Sequence, residues 1–130
     1  MTKSICIIDD DELYKLLLKK TILKLNLPVF VTCFANGKEA FDTFLKEKNA
    51  QENLPDIIFL DINMPEMDGW EFMDAYLDFQ TTISKKITIY IASSSIAFHD
   101  IEKAKKYTEI SGYIVKPIHS DTINKILQIL

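Results

Sequence analysis

Five short apolar runs recur along the chain, and a stretch with helical spacing follows each one. The runs are Ser4–Ile8, Val29–Phe34, Asp56–Leu60, Ile87–Ala92 and Gly112–Val115. Most are rich in Ile, Val and Phe, and several lack polar alternation, which is how strands covered on both faces read. The spacing between them predicts helices. In Asp11–Leu25, residues Leu13, Leu16, Leu17 and Leu18 form an apolar stripe, and Pro28 follows the end. Asn36–Lys48 carries Ala40, Phe41, Phe44 and Leu45, and Asp68–Phe79 carries Trp70, Phe72, Met73, Tyr76 and Leu77. His99–Tyr107 is shorter and more polar. Ser120–Leu130 opens with Ser120 or Asp121 as a cap and continues with Ile123, Ile126, Leu127 and Leu130.

Five β-α repeats in one chain of 130 residues imply an α/β fold: a single domain with a parallel sheet covered by helices on both faces. The polar stretch Glu47–Leu54 reads as a surface loop, and no Pro, Gly or Ser-rich linker divides the chain. Open parallel sheets bind ligands beyond the carboxyl ends of their strands. What each strand delivers at that end therefore matters most.

The first strand ends in Asp9-Asp10-Asp11-Glu12. One acid there caps a helix, but four in a row exceed a cap, and adjacent carboxylates repel unless a cation lies between them. A solvated cap and an oxygen-ligand metal site for Mg²⁺, Ca²⁺ or Mn²⁺ both fit the run. The third strand ends in Asp61, directly after Ile57-Ile58-Phe59-Leu60, where an unpaired carboxylate is costly. The fourth ends in Ser93-Ser94-Ser95, whose hydroxyls are either ordinary loop formers or anion donors. The fifth ends in Lys116-Pro117; the lysine either snorkels to the surface or pairs with the acids of the same rim.

Composition narrows the chemistry. The formal charge of −4 argues against direct nucleic-acid binding, and all 15 basic residues are Lys, so phosphate recognition has no guanidinium to use. No apolar run is long enough to span a membrane, and the N-terminal residues do not read as a signal peptide. Cys6 and Cys33 sit in strand-like runs without metal spacing and read as buried free thiols of a cytoplasmic protein. His99 and His119 read as solvated. Walker-type, GxGxxG, HExxH and GxSxG motifs are missing, and Met64 and Pro65 spoil an EF-hand reading of the loop after Asp61. What remains fits a carboxylate that takes up a phosphoryl group with the help of a divalent cation, Lys116 and Ser93.

The motifs Ile7-Ile8-Asp9-Asp10-Asp11, Leu60-Asp61-Ile62-Asn63-Met64-Pro65-Glu66-Met67-Asp68-Gly69, Ala92-Ser93-Ser94 and Gly112-Tyr113-Ile114-Val115-Lys116-Pro117 resemble the response-regulator receiver family of two-component signalling. The likeness extends over essentially the whole chain. It implies a flavodoxin-like (βα)5 fold with strand order 2-1-3-4-5, and one receiver domain over residues 1–130 with no output domain. It implies Asp61 as the phosphorylated aspartate. Mg²⁺, with Mn²⁺ as a substitute, would be held by Asp9, Asp10, Asp61 and the backbone carbonyl of Asn63. Lys116 would pair with Asp61 and then with the phosphoryl group, Ser93 would move onto a phosphoryl oxygen, and Tyr113 would turn inward behind it. The Lys116–Pro117 peptide would be cis.

Ser93 stands where Thr is commonest in that family, and the stretch from Asn49 to Leu54 looks longer than the usual connection. The resemblance implies that Asn63 and Ser95 occupy positions that tune dephosphorylation within that family. The implied partners are a histidine kinase or histidine phosphotransfer protein and a downstream protein that reads the surface of the last strand and last two helices, Ala97–Tyr107 included. The expected role is a switch rather than a turnover enzyme. A phosphorylation-independent interaction module of the same fold is the alternative. A Mg²⁺-dependent phosphatase fits less well, because Asn63 stands where such enzymes place a second acid.

Overall fold

The computed structural model describes residues 2–129. Five strands, β1 (Lys3–Ile8), β2 (Val29–Phe34), β3 (Ile57–Leu60), β4 (Thr88–Ser93) and β5 (Ile110–Val115), alternate with five helices. These are α1 (Glu12–Leu23), α2 (Gly37–Lys46), α3 (Gly69–Phe79), α4 (Phe98–Lys105) and α5 (Ser120–Gln128). All strand pairs are parallel, and the sheet order is β2-β1-β3-β4-β5. This is the flavodoxin-like order expected from the sequence. The order reverses between β1 and β3, so the switch point lies between these two strands.

Side chains alternate across the sheet and divide the core in two. Cys6, Ile8, Ile58, Leu60, Ile89 and Ile91 pack beneath α2, α3 and α4 with Phe44, Phe72 and Met73. Ile5, Ile7, Ile57 and Phe59 face α1 and α5, meeting Leu18, Ile22, Ile123, Ile126 and Leu127. Each of these strand residues is at most 1% exposed. Unbroken apolar runs in β1 and β3 thus serve both faces. β2 is an edge strand and buries only alternate positions weakly; Phe30 and Cys33 are exposed. Cys6 is buried as expected, but the expectation that Cys33 is buried fails because, among the described residues, no strand lies beyond β2.

The apolar stripe expected on α1 is also corrected. Leu18 is 4% exposed, but Leu13, Leu16 and Leu17 are 64%, 49% and 54% exposed. The buried face is Lys15, Leu18 and Ile22, with Tyr14 partly covered. Asp11 sets this phase: its side chain accepts from the Tyr14 N–H at 3.0 Å, so the helix starts with Tyr14 and Lys15 turned toward the sheet. Lys15 lays its stem over the core and sends its ammonium out to Glu12 at 2.7 Å.

The polar stretch before β3 is tied down by a 3₁₀ turn, Gln51–Asn53, whose Gln51 side chain accepts from the N–H groups of Ser84 and Lys85. His99 and His119 are exposed. The expected end of α5 at Leu130 lies outside the described residues.

Leu18→Ala is expected to cost about 2–5 kcal/mol, while Leu16→Ala stays within about 1 kcal/mol. Equilibrium urea unfolding of both variants measures this. Equal losses would show that the buried face of α1 is wrongly identified.

Candidate functional site

The C-terminal edge of the sheet gathers four of the side chains expected there. Asp9 follows β1, Asp61 follows β3, Ser93 closes β4 and Lys116 follows β5. Their backbones extend the sheet ladder by one more rung. The N–H of Asp9 donates to the Phe34 carbonyl at 3.1 Å, that of Asp61 to Ile8 at 2.9 Å, and that of Lys116 to Ser93 at 2.9 Å. Ile8 pairs with Leu60 across β1 and β3, so Asp9 and Asp61 come side by side at the switch point.

Both carboxylates are buried, with Asp9 1% and Asp61 8% exposed. The Lys116 ammonium lies 2.6 Å from Asp9 Oδ2 and 3.6 Å from Asp61 Oδ1. The lysine therefore serves both acids, with its shorter contact to Asp9. Burial, followed by the neighbouring Asp9 charge, pushes the Asp61 carboxyl up to about 6; Lys116 and the Ile62 N–H pull the other way without cancelling this.

The acidic run divides its labour. Asp11 caps α1, and Glu12 pairs with Lys15. Asp9 and Asp10 face the rim, where carboxylate oxygens of Asp9, Asp10 and Asp61 lie within 4.8 Å of one another. Three carboxylates and one ammonium leave a formal excess of two negative charges. An all-oxygen set with that excess suits a hard divalent cation.

The loop from Asp61 to α3 is held close to the sheet. The Gly69 N–H donates to the Ile62 carbonyl at 2.8 Å, and a Cβ on Gly69 would overlap the Asp61 carbonyl oxygen. Asp68 and Glu71 form a capping box at the start of α3. Between them and Asp61, Glu66 takes φ +66°, and the Met67 N–H closes a tight turn onto the Pro65 carbonyl at 2.7 Å. The Met67 carbonyl accepts from the Gly37 N–H at 3.1 Å, which ties this loop to the start of α2. Asn63 lies at the exposed crest of the loop.

On the other side, Ser93 is buried and its Oγ accepts from the Ser95 N–H at 3.1 Å. The Ser95 carbonyl accepts from the Tyr113 hydroxyl at 2.8 Å, and the Ser95 hydroxyl donates to Asp100 at 2.7 Å. Tyr113 is thus already tied to the β4–α4 loop, and Ser93 is linked to it through one residue. The Lys116–Pro117 peptide is cis.

Comparison with known proteins gives this edge its context. Residues 5–128 match the model of the response regulator receiver domain. The chain belongs to that family. It is 28% identical over 123 residues to sporulation initiation phosphotransferase F of Bacillus subtilis, covering 95% of this chain and 89% of that protein. A two-component response regulator from Cytophaga hutchinsonii superposes with a TM-score of 0.82 at 29% identity, over 97% of this chain and 94% of the other. A protein-glutamate methylesterase/protein-glutamine glutaminase of Archaeoglobus fulgidus is 36% identical over 78 residues, 60% of this chain. The chain spans 78%, 20% and 47% of the lengths of three relatives, and in the latter two the matching region is a minor part of a longer protein.

Two features of this receiver's site escape sequence reasoning. Tyr14 places its ring against Lys116, and Gly37 admits the Met67 carbonyl. Tyr14 lies one helical turn beyond Asp10, a spacing that turns a side chain back toward the strand end. Gly37 carries no local signal beyond its place at a helix start.

The Asp61 shift predicts a pH signature in cation-free buffer. An unfolded carboxyl releases its proton near 3.8, but the folded one holds it to about 6. The folded state is therefore penalised as pH rises between those values, and the loss is complete above the upper one. Asp61→Asn removes the penalty. Urea unfolding in EDTA is expected to show little gain over wild type at about pH 4 and roughly 1–3 kcal/mol at about pH 7. A gain that does not change with pH would contradict the raised carboxyl.

Proposed function

We propose that this receiver domain is a phosphorylation switch in which Asp61 takes a phosphoryl group from a phosphohistidine donor. The convergence of Asp9, Asp61, Ser93 and Lys116 at one buried strand edge carries this reading. In the transfer, an Asp61 carboxylate oxygen forms a bond to phosphorus and the donor's P–N bond breaks. The electron pair stays on the imidazole nitrogen, which takes up a proton. The donor is a histidine kinase or a histidine phosphotransfer protein.

Asp9, Asp10, Asp61 and the Asn63 carbonyl would hold Mg²⁺, and Mn²⁺ could replace it. The spread of carboxylate oxygens at the rim and the two-charge excess favour such an ion. When bound, it neutralises charge on the phosphoryl oxygens. Lys116 already stands within 3.6 Å of Asp61 and needs only a small shift to meet a phosphoryl oxygen. Ser93 would give up the Ser95 N–H and donate its hydroxyl to another oxygen.

Phosphorylation adds roughly one to two negative charges. Because Ser93, Ser95, Tyr113 and Asp100 are joined by hydrogen bonds, a shift of Ser93 pulls on the β4–α4 loop and on the start of α4. The face formed by α4, β5 and α5 is the surface a downstream protein would read. The chain acts as a signal carrier rather than a turnover enzyme, and the reading requires no contact with nucleic acid or a membrane. No helix among the described residues is long and apolar enough to cross a membrane.

Intact-mass measurement after incubation with Mg²⁺ and a small acyl phosphate is expected to show the mass gain of one phosphoryl group. Asp61→Asn abolishes it, and so does EDTA. No gain in the wild type, under conditions that label a control receiver, would sink the proposal; equal labelling of Asp61→Asn would move the site elsewhere.

Lys116→Ala is expected to separate the charge event from its readout. A phosphorylated variant should bind a cognate partner no better than its unmodified form, as followed by titration calorimetry. An undiminished response to phosphorylation would remove Lys116 from the switch.

A further inference from the structure

Lys116 reaches the site from the end of β5 on a long flexible stem, and such a side chain loses rotamer freedom when it is fixed. Two carboxylates hold its ammonium from one direction. From another, the ring of Tyr14 faces it, with Nζ 4.1 Å from the ring centroid. This is well inside the range in which an ammonium is attracted to the negative face of an aromatic ring. The Tyr14 hydroxyl is buried and has no hydrogen-bond partner among the described residues. A buried tyrosine normally finds a partner for its hydroxyl. Here the ring makes the specific contact and the hydroxyl makes none.

We propose that Tyr14 is a positioning residue for phosphoryl acceptance: its ring face holds the Lys116 ammonium between Asp9 and Asp61. The proposal rests on the phospho-acceptor reading of Asp61. Its physical sense lies in the choice of an uncharged partner. A third carboxylate beside Lys116 would compete with an incoming phosphoryl group for the ammonium and would add repulsion to Asp9 and Asp61. A ring face attracts the ammonium without competing for its hydrogen bonds. It also lets Nζ slide the short distance from Asp9 toward Asp61 while staying over the same surface. The helix start supplies the ring: Asp11 caps α1 through the Tyr14 N–H, so the residue that fixes the helix phase also aims the aromatic side chain at the rim.

The test compares rates of Asp61 labelling by a small acyl phosphate with Mg²⁺. Tyr14→Leu keeps an apolar side chain but loses the ring face, and is expected to slow labelling about threefold to thirtyfold. Tyr14→Phe keeps the ring and is expected to recover most of that rate. If Tyr14→Phe is as slow as Tyr14→Leu, the hydroxyl acts instead and the ring proposal is overturned.

In a Lys116→Ala background, Tyr14→Leu should have little further effect; a full additive loss would mean that Tyr14 acts without Lys116, which also overturns it. Should Tyr14→Leu fail to fold, a series of phenylalanines with increasing ring fluorination at position 14 preserves the packing and weakens the ring face stepwise. The rate should fall along the series at constant melting temperature, and a flat series would defeat the idea. Proton NMR of unphosphorylated protein gives an independent reading. The Lys116 Cε protons should be shifted upfield by the ring in wild type and in Tyr14→Phe, and not in Tyr14→Leu. A wild type that is never labelled at Asp61 defeats the phospho-acceptor reading itself, whereas a labelled wild type with an indifferent Tyr14 defeats only this inference.

Discussion

Two buried carboxylates standing side by side at the end of neighbouring strands set the terms for everything around them. Asp9 and Asp61 extend β1 and β3, whose last residues Ile8 and Leu60 are fully buried and paired across a parallel ladder. The acids cannot relax apart, because their own N–H groups are bonded to Phe34 and Ile8. Burial and mutual repulsion leave Asp61 holding its proton to about 6 even with a lysine beside it. The sheet therefore stores an electrostatic deficit that one ammonium does not settle. An all-oxygen cluster with that excess of negative charge suits a hard divalent cation.

Those loops differ in character. The one leaving Asp61 is drawn tight by Gly69, by the turn at Glu66 and by the bond between Met67 and Gly37. It offers a fixed frame beside the carboxylates. The one leaving Ser93 is held by a few polar contacts, Ser95 to Ser93, Ser95 to Asp100 and Tyr113 to Ser95. Each can be exchanged for another hydrogen bond at modest net cost. In the proposed switch, the tightly held loop would stand on the acceptor side and the exchangeable one would respond to the local charge. Ile96 and Phe98 lie 75% and 76% exposed at the start of α4, on the surface that such a change would present.

The sequence was most legible where one requirement dominates locally. Runs such as Ile57-Ile58-Phe59-Leu60 have no polar option on either face, and the structure buries all four. Strand ends were legible for the same reason, since Asp61 follows such a run directly. Legibility failed where two local solutions compete. Helix α1 contains two apolar stripes, one through Leu13, Leu16 and Leu17 and one through Leu18 and Ile22, and spacing alone does not rank them. The cap at Asp11 and the direction of the chain leaving β1 chose the second. Cys33 is exposed for a related reason: a β-branched and aromatic run signals a strand, but not that the strand lies at an edge.

By itself, the sequence determined the alternation of elements, the two-faced burial of the inner strands and which residue types reach the strand ends, because each follows from the local periodicity of apolar and polar side chains. Only the three-dimensional packing places Lys116 nearer Asp9 than Asp61, sets Tyr14 against it with a hydroxyl that has no hydrogen-bond partner among the described residues, and ties Tyr113 to Ser95. These are contacts between residues far apart in the chain, Asp9 and Lys116 being separated by 107 positions. Distances of that kind depend on how the strands register across the sheet, and no single stretch of sequence carries that register.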